Sequence, residues 1–141
     1  MDRIPEFAVN HPLLIAALIA VSFLLIRNEI SVRFRKWKAV GPFEATKLLN
    51  HEDGLLVDIR PIGEFSQGHI VNCKHLPMGE LNSRLGELDK FRDRPVVAYC
   101  RSGSRSAAAC DLLSKQGFTQ VYNLQGGIMA WENANLPVTR K

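Results

Sequence analysis

The apolar run Pro95-Val-Val-Ala-Tyr99 ends in Cys100, and the next residues, Arg101-Ser-Gly-Ser-Arg105-Ser106, lead directly into a helix-forming stretch from Ala107 to Lys115. A strand, a short glycine-bearing loop and a helix in immediate succession is the building unit of an α/β fold. It also places the Cys100 sulfur where loop N–H groups converge and the helix dipole is positive. A cysteine in such a place reads as a thiolate nucleophile. A free thiol with pKa about 8.5 is mostly protonated at neutral pH, and a downward shift of about two units, about 2.7 kcal/mol, makes it mostly ionised. Arg101, Arg105, the helix N-terminus and the loop amides are the groups expected to supply that shift. A buried structural cysteine is the alternative. It is disfavoured because no apolar core position needs two arginines beside it.

The same alternation continues along the chain. Gly54-Leu-Leu-Val-Asp58 reads as a strand and Glu80 to Phe91 as a helix. Ser104 to Gln116 reads as a helix ended by Gly117, Gln120 to Asn123 as a further strand, and Gly127 to Glu132 as a short last helix. This argues for an α/β domain with a mostly parallel central sheet covered by helices. The functional loops of such sheets lie at the carboxyl ends of strands, where Asp58 and Cys100 both fall. The Cys100 loop is accordingly expected to face solvent.

Residues 1–38 differ in character from residues 39–141, which are enough for one domain with its own core. From Leu13 to Ile26 there is no charge, and the uncharged stretch extends back to Phe7. We expect one N-terminal transmembrane helix over about 7–26, followed by a basic juxtamembrane segment. The fourteen residues from 13 to 26 cover only about 21 Å of a membrane core near 30 Å, so the length is marginal. An interfacial helix is the rival. A cleaved signal peptide is disfavoured because the cations Arg27, Arg33, Arg35, Lys36 and Lys38 follow the run instead of preceding it. The positive-inside bias then puts the N-terminus outside and residues 39–141 in the cytoplasm, a single-pass arrangement. Phe34 and Trp37, lying among those cations, are expected at the lipid headgroups.

Net charge is +4, but residues 1–38 carry six Lys and Arg against three Asp and Glu, while residues 39–141 carry twelve against eleven. The basic excess therefore belongs to the tail, and no basic stripe with interleaved aromatics argues for nucleic acid. Cys73, Cys100 and Cys110 are odd in number and show no metal-type spacing with the four histidines. This pattern fits a reducing compartment, with neither metal nor cofactor expected.

The segments Val57-Asp-Ile-Arg60, Glu64-Phe65, Gly68-His69-Ile70 and Pro77, then Cys100-Arg-Ser-Gly-Ser-Arg-Ser106, then Leu124-Gln-Gly-Gly-Ile128 with Ala130-Trp131, resemble a single-domain rhodanese. With its N-terminal run the chain is similar to membrane-tethered bacterial members of that family. The resemblance implies a sulfurtransferase: the residue at Cys100 takes a sulfane sulfur from a donor such as thiosulfate, becomes a persulfide, and passes the sulfur to a thiol or cyanide. It also implies a place at the bacterial inner membrane. Arg105 is expected beside Cys100 as a catalytic residue, and Arg101, Ser102, Gly103, Ser104 and Arg105 as the groups holding a small anionic donor. Gly103 is expected to take a backbone conformation that side chains oppose, while Ser104 and Ser106 either cap the next helix or donate to the persulfide.

Asp58 and Arg60 are expected as a charge pair that supports the neighbouring loops. Glu64 and His69 have no visible partner in the Cys100 motif, and Trp131 reads as core. Cys73 stands where the family has a smaller residue, as a small buried side chain or a second thiol. Two other readings stay open: a tethered docking module for another membrane protein, and an arsenate or phosphate enzyme. The latter is disfavoured because only four residues separate Cys100 from Arg105, one fewer than in the related phosphatase-type loops.

Overall fold

Five short strands, β1 (Lys38–Val40), β2 (Leu55–Asp58), β4 (Lys74–His75), β5 (Val96–Tyr99) and β6 (Val121–Leu124), form one sheet. Its order is β1-β6-β5-β2-β4 and every pairing is parallel. The computed structural model of the chain describes residues 3–141. Parallel neighbours need crossovers, and helices α3 (Pro42–His51), α4 (Ile62–Gln67), α5 (Met78–Leu81) and α6 (Ser104–Lys115) supply them together with a 3-10 segment, Leu85–Phe91, while α7 (Gly127–Asn133) follows the last strand of the sheet. A small antiparallel pair, β3 (His69–Ile70) with β7 (Val138–Thr139), ties the end of the chain to the loop after α4.

Successive strand side chains point to opposite faces, so β5 feeds two cores. Val96, Ala98 and Cys100 pack with Val57, Leu88, Cys110 and Leu113 on one face. Val97 and Tyr99 pack with Leu56, Leu124, Leu48 and Trp131 on the other. All four β5 residues are buried, which is why the strand reads as a continuous apolar run.

Two sequence expectations need correction here. The single helix from 80 to 91 is instead one turn, α5, then a turn and the 3-10 segment. Leu81, Leu85 and Leu88 keep the helical spacing and are buried, but the Ser83 hydroxyl donates to the Glu80 carbonyl at 2.9 Å and Gly86 adds backbone entropy, so the α-helix does not propagate. Trp37 is not a headgroup residue: it is 7% exposed in the first core, and its indole N–H donates to Asp111 Oδ1 at 2.6 Å. A buried indole needs such a partner, and Asp111 on α6 provides it. The core unit accordingly spans Lys36–Lys141.

The other unit ends at Arg35. It holds α1 (Arg3–Asn10) and α2 (Pro12–Arg33), which carry no buried residue. Pro12 opens α2 at its first turn, where the missing N–H costs nothing. At 22 residues, and with mean hydropathy 2.1 over its most apolar 18-residue stretch, α2 is long and apolar enough to cross a membrane. It is longer than the uncharged run because the helix continues through Arg27, Glu29 and Arg33.

Candidate active site

Cys100 is the first residue beyond β5, and α6 begins four residues later. Gly103, in the left-handed region at φ 100°, stands at the N-cap of α6. There its N–H donates to Cys100 Sγ at 3.1 Å. A side chain would be strained at that φ and would crowd the Leu124 carbonyl. Neither Ser104 nor Ser106 is the cap of the helix, for Gly103 holds the N-cap position. Ser106 is fully buried instead, with its hydroxyl 3.4 Å from Cys100 Sγ and 2.6 Å from Asn123 Oδ1. The Asn123 amide in turn donates to the Gly103 carbonyl at 2.9 Å. Asn123 thus ties the crown of the loop to the start of α6.

A second lock acts from α7. The N–H groups of Ile128 and Met129 donate to the carbonyls of Cys100 (2.9 Å) and Arg101 (3.3 Å). Gly127 has positive φ, and a Cβ there would collide with both carbonyl oxygens. With these carbonyls engaged by α7, N–H groups are left to face the sulfur. Burial acts to raise the Cys100 pKa, but hydrogen bonds from the Ser106 hydroxyl and from the backbone N–H groups of Ser106, Gly103 and Ser102 outweigh it and hold the thiol below its ordinary value. The leading contributions are therefore hydrogen bonds, where the sequence pointed first to the arginines. The loop side chains Arg101, Ser102, Ser104 and Arg105 face solvent as expected, but Cys100 itself is 0% exposed. The sulfur lies under the loop.

Arg105 does not reach free into solvent. Both its terminal amines donate to Glu64 on α4, at 2.7 and 3.0 Å. This pair holds the Glu64 carboxyl below the usual range. Glu64 therefore has a partner in the Cys100 motif, contrary to the sequence reading. The Arg105 charge is felt at Cys100.

Asp58 and Arg60 form a buried pair at 2.7 Å. Arg60 also donates to the Gly68 carbonyl at 2.8 Å, and the Tyr99 hydroxyl donates to Asp58 at 2.7 Å. The register that sets Asp58 beside Tyr99 makes this network possible. His69 and His75 stack on the two sides of this region through Phe65 and bond the Phe65 and Arg60 carbonyls, which accounts for both imidazoles structurally. Trp131 is core.

The other thiols differ. Cys73 is half-buried, 3.4 Å from the Tyr99 hydroxyl, and burial pushes its pKa up. Cys110 is fully buried at 3.4 Å from the Tyr122 carbonyl, and burial raises its pKa far above the ordinary thiol range. Among the described residues no cluster of His, Cys, Asp and Glu could hold a metal ion.

Comparison with known proteins places this geometry. The rhodanese-like domain family model matches residues 42–134. The chain is 35% identical over 141 residues to the uncharacterized protein YibN of Escherichia coli strain K12, covering 99% of each. It is 49% identical over 92 residues to a sulfurtransferase of Allochromatium vinosum, covering 65% of this chain and 84% of that one. The crystal structure of a rhodanese-related protein from Thermoplasma volcanium superposes with TM-score 0.64 at 29% identity, covering 74% of this chain and 99% of that one.

Proposed function

This chain belongs to the rhodanese-like domain family, and from that membership we propose that it is a sulfurtransferase working through a Cys100 persulfide at the cytoplasmic face of a bacterial inner membrane. The observation that carries the reading is the Cys100 sulfur beneath its loop, met by the Gly103 N–H and the Ser106 hydroxyl and held below the usual thiol pKa. The thiolate attacks the outer sulfur of the donor. The bond between that sulfur and its carrier breaks with the electron pair leaving on the carrier, and Cys100 becomes a persulfide. For thiosulfate the leaving group is sulfite. An acceptor thiolate or cyanide then attacks the outer persulfide sulfur and the pair returns to Cys100 as thiolate. The loop amides stabilise negative charge on sulfur at both stages without rearranging. Where the donor is anionic, Arg101, Ser102, Gly103, Ser104 and, once Glu64 gives way, Arg105 receive its anionic part, and the buried Asp58–Arg60 pair supports the loop from β2.

Intact-mass measurement after exposure to thiosulfate tests this directly. We expect a gain of one sulfur atom, mapped to Cys100 and removed by cyanide. Unchanged mass with every sulfane donor tried would refute the reading. The membrane part is tested separately. We expect the protein to resist extraction by alkaline carbonate, and its domain to survive protease added outside intact spheroplasts. A shortened chain beginning at Lys36 should be soluble and active. One beginning at Ala39 loses the buried Trp37 and should be less stable by about 3 kcal/mol, checked by urea unfolding. Cleavage of the domain from outside would overturn the cytoplasmic placement.

A further inference from the structure

The mouth of the site is electrically balanced, which a site built for a small dianion should not be. An open cavity of about 400 Å³ beside the loop is lined by Arg60, Glu64, Arg101, Met129 and Glu132 among others. Arg60 is already paired with Asp58, and Arg105 is paired with Glu64. Three guanidiniums thus face three carboxylates, Asp58, Glu64 and Glu132, and ionisation of Cys100 tips the balance to negative. A negative mouth repels thiosulfate before any contact is made. The cation best placed to receive it, Arg105, has both terminal amines on Glu64. An anionic donor must displace that carboxylate or approach without the guanidinium.

We propose that Glu64 is a specificity-determining residue that acts through Arg105: it turns the site away from small multiply charged donors and toward sulfur carried on a thiol, as a persulfide R–S–S–H. This rests on the sulfurtransferase reading above and names its donor class. In the transfer, the Cys100 thiolate attacks the terminal sulfur of R–S–S–H. The R–S to S bond breaks with its electron pair leaving as the thiolate R–S⁻, and the proton stays on the transferred sulfur. No full negative charge enters the mouth with the reacting end, so the Glu64–Arg105 pair can remain closed. The cavity has room for the carrier, and the half-exposed Met129 offers it an apolar contact.

The test is Glu64→Gln in the full chain, an isosteric change that keeps an oxygen for Arg105 and removes the charge. With thiosulfate as donor and a fixed acceptor, KM should fall by about fivefold with kcat nearly unchanged, the size expected for a half-exposed ion pair. Inhibition by sulfate, which cannot react, should tighten by the same factor. The rate of Cys100 persulfide formation from cysteine persulfide, followed by intact mass, should stay within about twofold. Equal losses with both donors at an unchanged melting temperature would show that Glu64 only holds the loop, and would overturn the proposal. So would an unchanged thiosulfate KM. If the parent protein accepts sulfur from neither donor, the sulfurtransferase reading itself fails, an outcome distinct from either of these.

Discussion

Cys100 and Cys110 flank the same stretch of chain and are equally hidden from solvent, yet they have opposite acidities. Cys100 precedes α6 and is met by donors: the Gly103 N–H and the Ser106 hydroxyl. Cys110, in the body of α6, meets the Tyr122 carbonyl, an acceptor that favours keeping the thiol proton. Asp111 next to it adds like-charge repulsion against ionisation. Burial alone therefore does not decide whether a cysteine becomes a thiolate. What decides it is whether the surrounding backbone turns its N–H or its C=O groups toward sulfur.

The comparison is broken most severely by removing each thiol in turn. Cys100→Ser should reduce sulfur transfer by at least about a thousandfold while leaving the fold intact, since a hydroxyl forms no persulfide. Near-parental turnover would end the assignment. Alkylation sharpens the contrast next. Cys100 should react with iodoacetamide at pH values below the usual thiol range near 8.5, and at least about a hundredfold faster than Cys110, read by peptide mass mapping. Comparable rates would mean that the loop amides do not select the thiolate. Ser106→Ala should raise the midpoint of the Cys100 alkylation profile and slow transfer by about fivefold at neutral pH, through loss of one hydrogen bond to sulfur. It should leave Cys110 unchanged.

The smallest effect concerns Cys110→Ala, which should keep activity within about twofold and cost about 1 kcal/mol of stability. The pH dependence has a definite sign. The folded pKa of Cys110 is raised, so its contribution is present below the unfolded thiol value near 8.5 and is lost as pH climbs above it. The deficit of Cys110→Ala should therefore shrink in alkali. For Cys100 the folded pKa is lowered, so its contribution is present above the unfolded value and is lost as pH falls toward the folded one. Denaturant titrations of Cys110→Ala and Cys100→Ser across that range should move in opposite directions.

What the sequence disclosed was local. The order strand, Cys100, loop, helix is contiguous, so its geometry could be read from turn and capping chemistry, and the parallel α/β class followed from the alternation of short elements. The partners that complete the site are distant in sequence. Glu64 reaches Arg105 across 41 residues and Asn123 reaches Ser106 across 17, and no periodicity announces either. Ser106 shows the same limit: a serine at the start of a helix suggests a cap, yet the neighbouring Cys100 and Asn123 turn it inward. Composition alone groups Trp37 with the cations around it, whereas its place next to β1 joins it to the core. The edge strand β1 and the pair of β3 with β7 were too short to stand out as patterns.

The lock formed by Gly127, Ile128 and Met129 on the Cys100 and Arg101 carbonyls also sets when the thiol becomes reactive. These residues follow Cys100 by more than a full strand and helix, and a growing chain emerges N-terminus first. Until α7 has left the ribosome and docked, nothing holds the loop carbonyls away from the sulfur. Through that interval Cys100 is an ordinary thiol, and its acidity develops only with the completed domain. Synthesis and chemical hazard are thereby separated in time.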